Sequence, residues 1–341
     1  MAVTFISQLD NIMFTSSLQR LVINANNGES NIAFSIVKGS TTLFSNSYTP
    51  DANGNVYIYD LHKLINSYIP EVYDTLTLRA NATSASVTFI RCNTLVNTSA
   101  SDFINNYFLS PCLKTRQTSR YRFEYINILD LSGNDVAVKA SATYFLNGEL
   151  STLDFDLETI NGFAQIDVSP SQFVRPAMGK LVFYIISAGN RQMKYNVINH
   201  NPDAVGVKYR NTFNAWDTFY FSGLLVSEFE HTRSTAIVGG VLTTYNIDSV
   251  QSFKANTGPL PYGTETLPYE LCRSMEIHMI DLEGNSVGEL VITDDEIKSD
   301  NAPDTINDFE VTYRFADSFT TKINTPKSVK LFDNSFDDSF N

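Results

Sequence analysis

What most limits the fold of this chain is the spacing of its apolar residues. They come in short alternating runs, each broken by a cluster of Asn, Asp, Gly or Pro, and no long stretch carries a helical period. Alternation sends successive side chains to opposite faces, so each run reads as a half-buried strand. Residues 21–24 and 32–37 are two such runs, with the turn cluster Asn26-Asn27-Gly28-Glu29 between them. Strands follow at 41–48 and 56–59, with a turn at 51–55 between them. Asp60 then sits where its carboxylate can cap a short helix over 62–68, which Pro70 stops. Further strands at 75–79 and 86–90 complete a first unit. The 24 Phe and 17 Tyr, against a single Trp, suit pleated, half-buried surfaces and support the β assignment.

The same plan recurs about 107 residues later. Gly54-Asn55-Val56-Tyr57-Ile58-Tyr59-Asp60-Leu61 is echoed by Gly162-Phe163-Ala164-Gln165-Ile166-Asp167-Val168, and in both places a helical turn, a Pro and another strand follow. A repeat this long points to a duplicated domain rather than a solenoid. Two further segments are near-copies: Leu129-Asp130-Leu131-Ser132-Gly133-Asn134-Asp135-Val136 and Ile280-Asp281-Leu282-Glu283-Gly284-Asn285-Ser286-Val287. Each puts Gly-Asn between alternating stretches and reads as a hairpin tip. A short helix is expected over 267–273, and strands over 276–281, 288–293 and 309–315. The expected fold is all-β: tandem Ig-like sandwiches over 1–95 and 96–200, a C-terminal β-barrel or sandwich domain over 201–320, few short helices, and an acidic tail over 321–341.

At 341 residues the chain is long enough for two or three domains. Its net charge of −13 repels phosphate backbones and leaves no basic stripe for specific nucleic-acid binding. No apolar run is long enough to span a bilayer, and the start of the chain lacks the pattern of an export signal. Cys92, Cys112 and Cys272 are widely separated and read as reduced thiols; synthesis in a cytoplasm is expected.

Candidates for chemistry are few. His62, His200, His231 and His278 stand in no metal-ligand spacing, and no nucleophile elbow or phosphate loop appears. Asp154, Asp156 and Glu158 alternate along one strand face, which reads as a solvated row that discourages misassembly. Asp294-Asp295-Glu296 with Asp300 lacks the spacing of a calcium loop. Asp51, Asn53 and Asn55 match the first ligands of one, but His62 replaces its closing Glu, and a turn is favoured. The expectation is a chain without catalytic residues, cofactor or metal. The aromatic stretch from Phe213 to Phe221 has two readings: a glycan-stacking platform, or, as is favoured, core anchors at Trp216, Phe219 and Phe221 with Tyr220 alternating outward.

That stretch, Arg210-Asn211-Thr212-Phe213-Asn214-Ala215-Trp216-Asp217-Thr218-Phe219-Tyr220-Phe221, resembles a motif of virion proteins from tailed phages and prophages of Bacteroidetes, neighbours of the crAss-like group among them. The family motif reads Leu-Asn-Arg-x-Gly-Gly-Phe-Asp-x-Phe-Thr-Phe, so Arg210, Asn211, Trp216, Asp217, Phe219 and Phe221 are its carriers here, and Asn214-Ala215 replaces the Gly pair. The run Val56-Tyr57-Ile58-Tyr59-Asp60-Leu61 is similar to the family's first domain, and residues 308–317 to its last strand. The resemblance implies a structural part of a virion: a tail, collar-ring or baseplate-adaptor component whose C-terminal domain is similar to tail-tube split barrels. It implies homo-oligomeric rings of six or twelve copies, contacts with neighbouring tail or portal-side proteins, and a lumen that DNA traverses without being bound. A carbohydrate- or receptor-binding module, on a virion or elsewhere, is the alternative.

Overall fold

The computed structural model describes residues 3–26, 30–198, 204–260, 264, 266–296 and 308–317; the tail at 321–341 and the candidates His200 and Asp300 lie outside them. The fold is all-β and rich in sandwiches. The first unit contains β1 (Thr4–Phe5), β2 (Ile12–Phe14), β3 (Arg20–Asn24), β4 (Ile32–Lys38), β5 (Thr41–Tyr48), β6 (Asn55–Tyr59), α1 (Leu61–Tyr68), β7 (Tyr73–Ala80) and β8 (Thr83–Ile90). A five-stranded sheet, β2-β8-β7-β4-β5, faces the three-stranded sheet β1-β3-β6. The alternation seen in the sequence decides which residues meet between them. Leu21, Ile23 and Ile58 point in from one sheet, and Phe34, Ile36, Leu76, Leu78 and Phe89 from the other. Leu61 and Ile65 of α1 close one end.

Asp60 precedes α1 as expected but does not cap it with its carboxylate. Its backbone is left-handed (φ +55), and the side chain turns instead to Lys63 at 3.1 Å. The geometry that aims a cap at free N–H groups needs extended backbone.

The second unit follows α2 (Ala100–Asn106), whose N-terminus is capped by the Ser99 hydroxyl, which accepts from the Asp102 N–H. It comprises β9 (Thr115–Thr118), β10 (Tyr125–Asp130), β11 (Val136–Leu146), β12 (Glu149–Ile160), β13 (Gly162–Asp167), β14 (Lys180–Ala188) and β15 (Arg191–Val197). Its sheets run β9-β15-β14-β11-β12 and β10-β13. The five-stranded sheet repeats the order of the first unit's, down to the single parallel pair that places an early strand beside the last one, β2 on β8 and β9 on β15; among the described residues the smaller sheet lacks a counterpart of β1. The segments that echo one another in sequence, β6 and β13, hold equivalent places. Where α1 stands in the first unit, the second has two 3₁₀ turns, Pro170–Phe173 and Pro176–Met178. Each opens on a proline, which fits a first turn but would break a longer helix.

The two Gly-Asn segments part company here. Asp281 and its neighbours join β20 (Ile277–Ile280) to β21 (Ser286–Glu296) as an antiparallel hairpin. The Asp130 copy is no hairpin tip: β10 pairs with β13 and β11 with β12 and β14, so the chain crosses there from one sheet to the other.

The remaining strands are β16 (Val205–Arg210), β17 (Trp216–Phe221), β18 (Leu225–Val238), β19 (Val241–Asn256) and β22 (Glu310–Phe315), with α3 (Thr266–Arg273) between β19 and β20. They form one seven-stranded sheet, β17-β16-β20-β21-β22-β19-β18. β17 and β22 lie four strands apart, ~19 Å across a flat sheet. Yet the Phe221 and Tyr313 rings stack at 6.3 Å, so the sheet curls over a core of its own. Leu267 and Leu271 of α3 plug that core. No helix among the described residues is long and apolar enough to cross a membrane.

Candidate assembly surface

The motif residues Arg210 to Phe221 build the joint between the units. After β16 the chain turns tightly, and Asn211 organises the turn: its Oδ1 accepts from the N–H groups of Phe213 and Ala215, while its Nδ2 donates to the Leu109 carbonyl. Asn214, standing where the motif has Gly, takes φ +60, a conformation Asn tolerates better than other side chains. The turn drives Phe213 between Phe14 of the first unit and Phe103 of α2, in a cluster that also takes in Leu129 of the second unit.

β17 has two partners. Phe219 and Phe221 enter the curled core, while Asp217, on that same face, and Thr218, on the other, meet the second unit. Arg116 of β9 donates from Nη1 to Asp217 Oδ1 at 2.7 Å and from Nη2 to the Thr218 carbonyl at 2.9 Å, with Glu124 at 3.8 Å. All three charged groups are buried. Burial acts to neutralise Arg116, but Asp217 and Glu124 outweigh it and hold the guanidinium firmly protonated. Burial raises the Glu124 carboxyl above its ordinary value despite Arg116 and Arg122 nearby.

Trp216 is half-buried under the Arg210 guanidinium, 4.0 Å from its ring, and Arg210 Nε donates to Glu276. Tyr220 does not alternate out to solvent: its hydroxyl accepts from the Phe123 N–H, and Arg122 lies over its ring. Phe219 and Phe221 are therefore core residues, whereas Trp216, expected beside them as a core anchor, is only half-buried and is covered by Arg210.

Other candidates fall into ordinary places. Asp154 accepts from the Ser141 hydroxyl, Asp156 pairs with Lys139, and Glu158 is exposed on the same edge strand β12. Asp51 Oδ1 accepts from the N–H groups of Asn53 and Asn55, and Asp281 Oδ1 does the same for Glu283 and Asn285; both are turn-forming carboxylates. Among the described residues no three His, Cys, Asp or Glu side chains converge as metal ligands. The three cysteines are unpaired; burial raises the Cys92 and Cys112 thiols and, with Asp295 beside it, pushes Cys272 up to about 12.

The exposed surface that stands out was not anticipated. β18 and β19 pair over their whole length, but among the described residues β19 pairs with β22 only at Phe253, Lys254, Ala255 and Asn256. From the Glu228–Ser252 pair onward the hairpin runs ~40 Å beyond the sheet. Its register separates two faces. Phe229, His231, Arg233 and Ile247 share one; Glu228, Glu230, Thr232 and Asp248 share the other. A bulge after Ser234 precedes the tip, where Ile237 and Leu242 lie on one face, Val238 and Val241 on the other. These four are 65–74% exposed. Gly239 and Gly240, both at positive φ, close the turn as a two-residue hairpin requires. The Val-Gly-Gly-Val sequence flanked by aliphatics carried that signal in the sequence. An isolated two-stranded ribbon is marginal in water, and this one offers both an edge left unpaired by the described residues and an apolar tip.

No protein-family model matches the chain, and no curated protein matches it.

Proposed function

We propose that the chain is a structural component of a tailed-phage virion, in the tail, collar ring or baseplate adaptor, acting by assembly with copies of itself and with neighbouring virion proteins. The observation that carries the assembly half of this reading is the free-standing β18–β19 hairpin. Each aliphatic side chain at its tip is worth about 1.5–3 kcal/mol on full burial, a gain the isolated chain forgoes. The unpaired edge of β18 adds backbone donors and acceptors for strand addition by an adjoining subunit. The virion half rests on the resemblance of the Arg210–Phe221 stretch. The acidic charge suits a wall past which DNA slides. A glycan-binding role finds less support from the 213–221 stretch, where Phe219 and Phe221 are core and arginines lie over Trp216 and Tyr220.

The test is size-exclusion chromatography with light scattering, followed by negative-stain imaging, alone and with co-expressed virion neighbours. Rings that disappear in an Ile237→Asp/Leu242→Asp variant are expected. A wild-type chain that stays monomeric with every neighbour, and binds host glycans, would overturn the reading.

A further inference from the structure

Where the first and third units meet, Arg91, Arg210 and Arg273 line one open groove of about 570 Å³, with Pro70 and Met275 also lining it. Arg210 pairs with Glu276, and Arg273 lies 3.8 Å from Glu270. Arg91 differs. Its Nη1 donates to the Ile69 carbonyl, its buried Nε has no acceptor, and no carboxylate lies within ion-pair reach of it among the described residues. Burial and the neighbouring Arg210 both disfavour its charge. A half-buried arginine beside a second one, with no carboxylate of the described residues in ion-pair reach, gains most from a carboxylate brought to it.

We propose that this groove receives the acidic, phenylalanine-bearing segment of residues 333–341 of the same polypeptide, Asp-Asn-Ser-Phe-Asp-Asp-Ser-Phe-Asn. Three arguments favour this occupant. Its charge is complementary: Asp333, Asp337 and Asp338 carry no basic residue among them. Its apolar residues also find a seat, since Phe336 and Phe340 flank the Asp pair and Met275, 95% exposed, offers a thioether for aromatic contact. The point of departure is close as well. The Ala316 N–H donates to the Glu289 carbonyl, Glu289 pairs across from His278, and the His278 ring is 3.4 Å from the groove residue Glu276. The described chain therefore ends about two strand spacings, ~10 Å, from the groove. A tethered anion also has an advantage over a free one, because a short linker holds it at roughly millimolar effective concentration, while the protein's own charge repels anions from outside.

The experiment uses the full chain with Phe336→p-benzoylphenylalanine, irradiated and mapped by mass spectrometry. Intramolecular adducts at Met275 or its immediate neighbours are expected. They should fall several-fold in molar salt and in the Asp337→Asn/Asp338→Asn background, which leaves the groove residues themselves unchanged. Inorganic phosphate should bind that double variant several-fold more tightly than wild type, since its competitor is weakened. Adducts elsewhere, intermolecular adducts alone, Met275 adducts indifferent to the Asn substitutions, or equal phosphate affinity would each overturn the proposal.

Discussion

The hairpins β16–β17 and β18–β19 are consecutive in the chain and belong to one sheet, yet their surroundings are opposite. β17 is covered on one side by the curled core and on the other by the second unit, and even its charges are buried. β18 is exposed along nearly its whole length, at aliphatic and charged positions alike. The first hairpin holds three units together; the second contributes little to that and leaves its apolar residues exposed. Packing and exposure thus fall to adjacent hairpins of the same sheet.

Four substitutions test that division, taken in falling order of their effect on folding. Arg116→Met leaves Asp217 buried without its ion-pair partner and Glu124 with only Arg122 nearby, and should cost about 3–5 kcal/mol, read as a lower urea midpoint. Phe213→Ala empties the aromatic seat between Phe14 and Phe103 and should cost about 3 kcal/mol. It should also separate unfolding of the first unit from the rest, visible as a second calorimetric transition. Glu124→Gln should do the reverse of the first change. Because the folded state raises this carboxyl above the ordinary value of 4.5, the wild type loses stability as pH climbs from there through the raised value. The variant should therefore be more stable at neutral pH and match wild type in acid, as urea midpoints across that range would report. Ile237→Asp/Leu242→Asp should leave folding within ~0.5 kcal/mol, because these side chains are exposed. A large loss of stability there would break the comparison, and an unchanged oligomeric state would remove the role assigned to the tip.

Acid should act elsewhere. Burial works to raise the Asp130 carboxyl, but hydrogen bonds from Ser132 and Arg191 outweigh it and hold the group below its ordinary value. Its contribution is present above that value and lost as pH falls through the lowered one. Asp130→Asn should therefore reduce stability at neutral pH and narrow the gap to wild type in strong acid, checked by thermal melts at several pH values.

How far the fold could be read from the sequence depended on whether the deciding interaction was local. Strand alternation at residues 21–24 or 76–78 is local, and so is the helix before Pro70; both were readable. The near-identical Gly-Asn segments were not separable, since Asp130 and Asp281 make the same kind of turn. Only the partners beyond it differ: β20 finds β21 next in sequence, whereas Asn127 and Leu129 of β10 face β17 and the shared core, which draws that strand onto a different sheet from β11. The packed state of Trp216 and Tyr220 likewise depends on Arg210 and Arg122, the latter nearly a hundred residues away. The long hairpin is marked in the sequence by its Val-Gly-Gly-Val turn alone, because a strand that packs on nothing has no face to keep dry and its residues follow no order that burial would impose. Arg91 and Arg273 are isolated letters until the chain folds.

The way the long hairpin is rooted has a mechanical consequence. Its base is held by antiparallel pairing of residues 253–256 with 310–313, and those hydrogen bonds lie across the strand direction. A pull on the tip along the hairpin axis therefore loads the whole ladder in shear at once instead of peeling it bond by bond. The load passes from β22 into the curled core through Tyr313, and from β17 to β9 through the buried Arg116–Asp217 pair. A subunit gripped by this arm would transmit tension to its body as a stiff lever, not a loose tether.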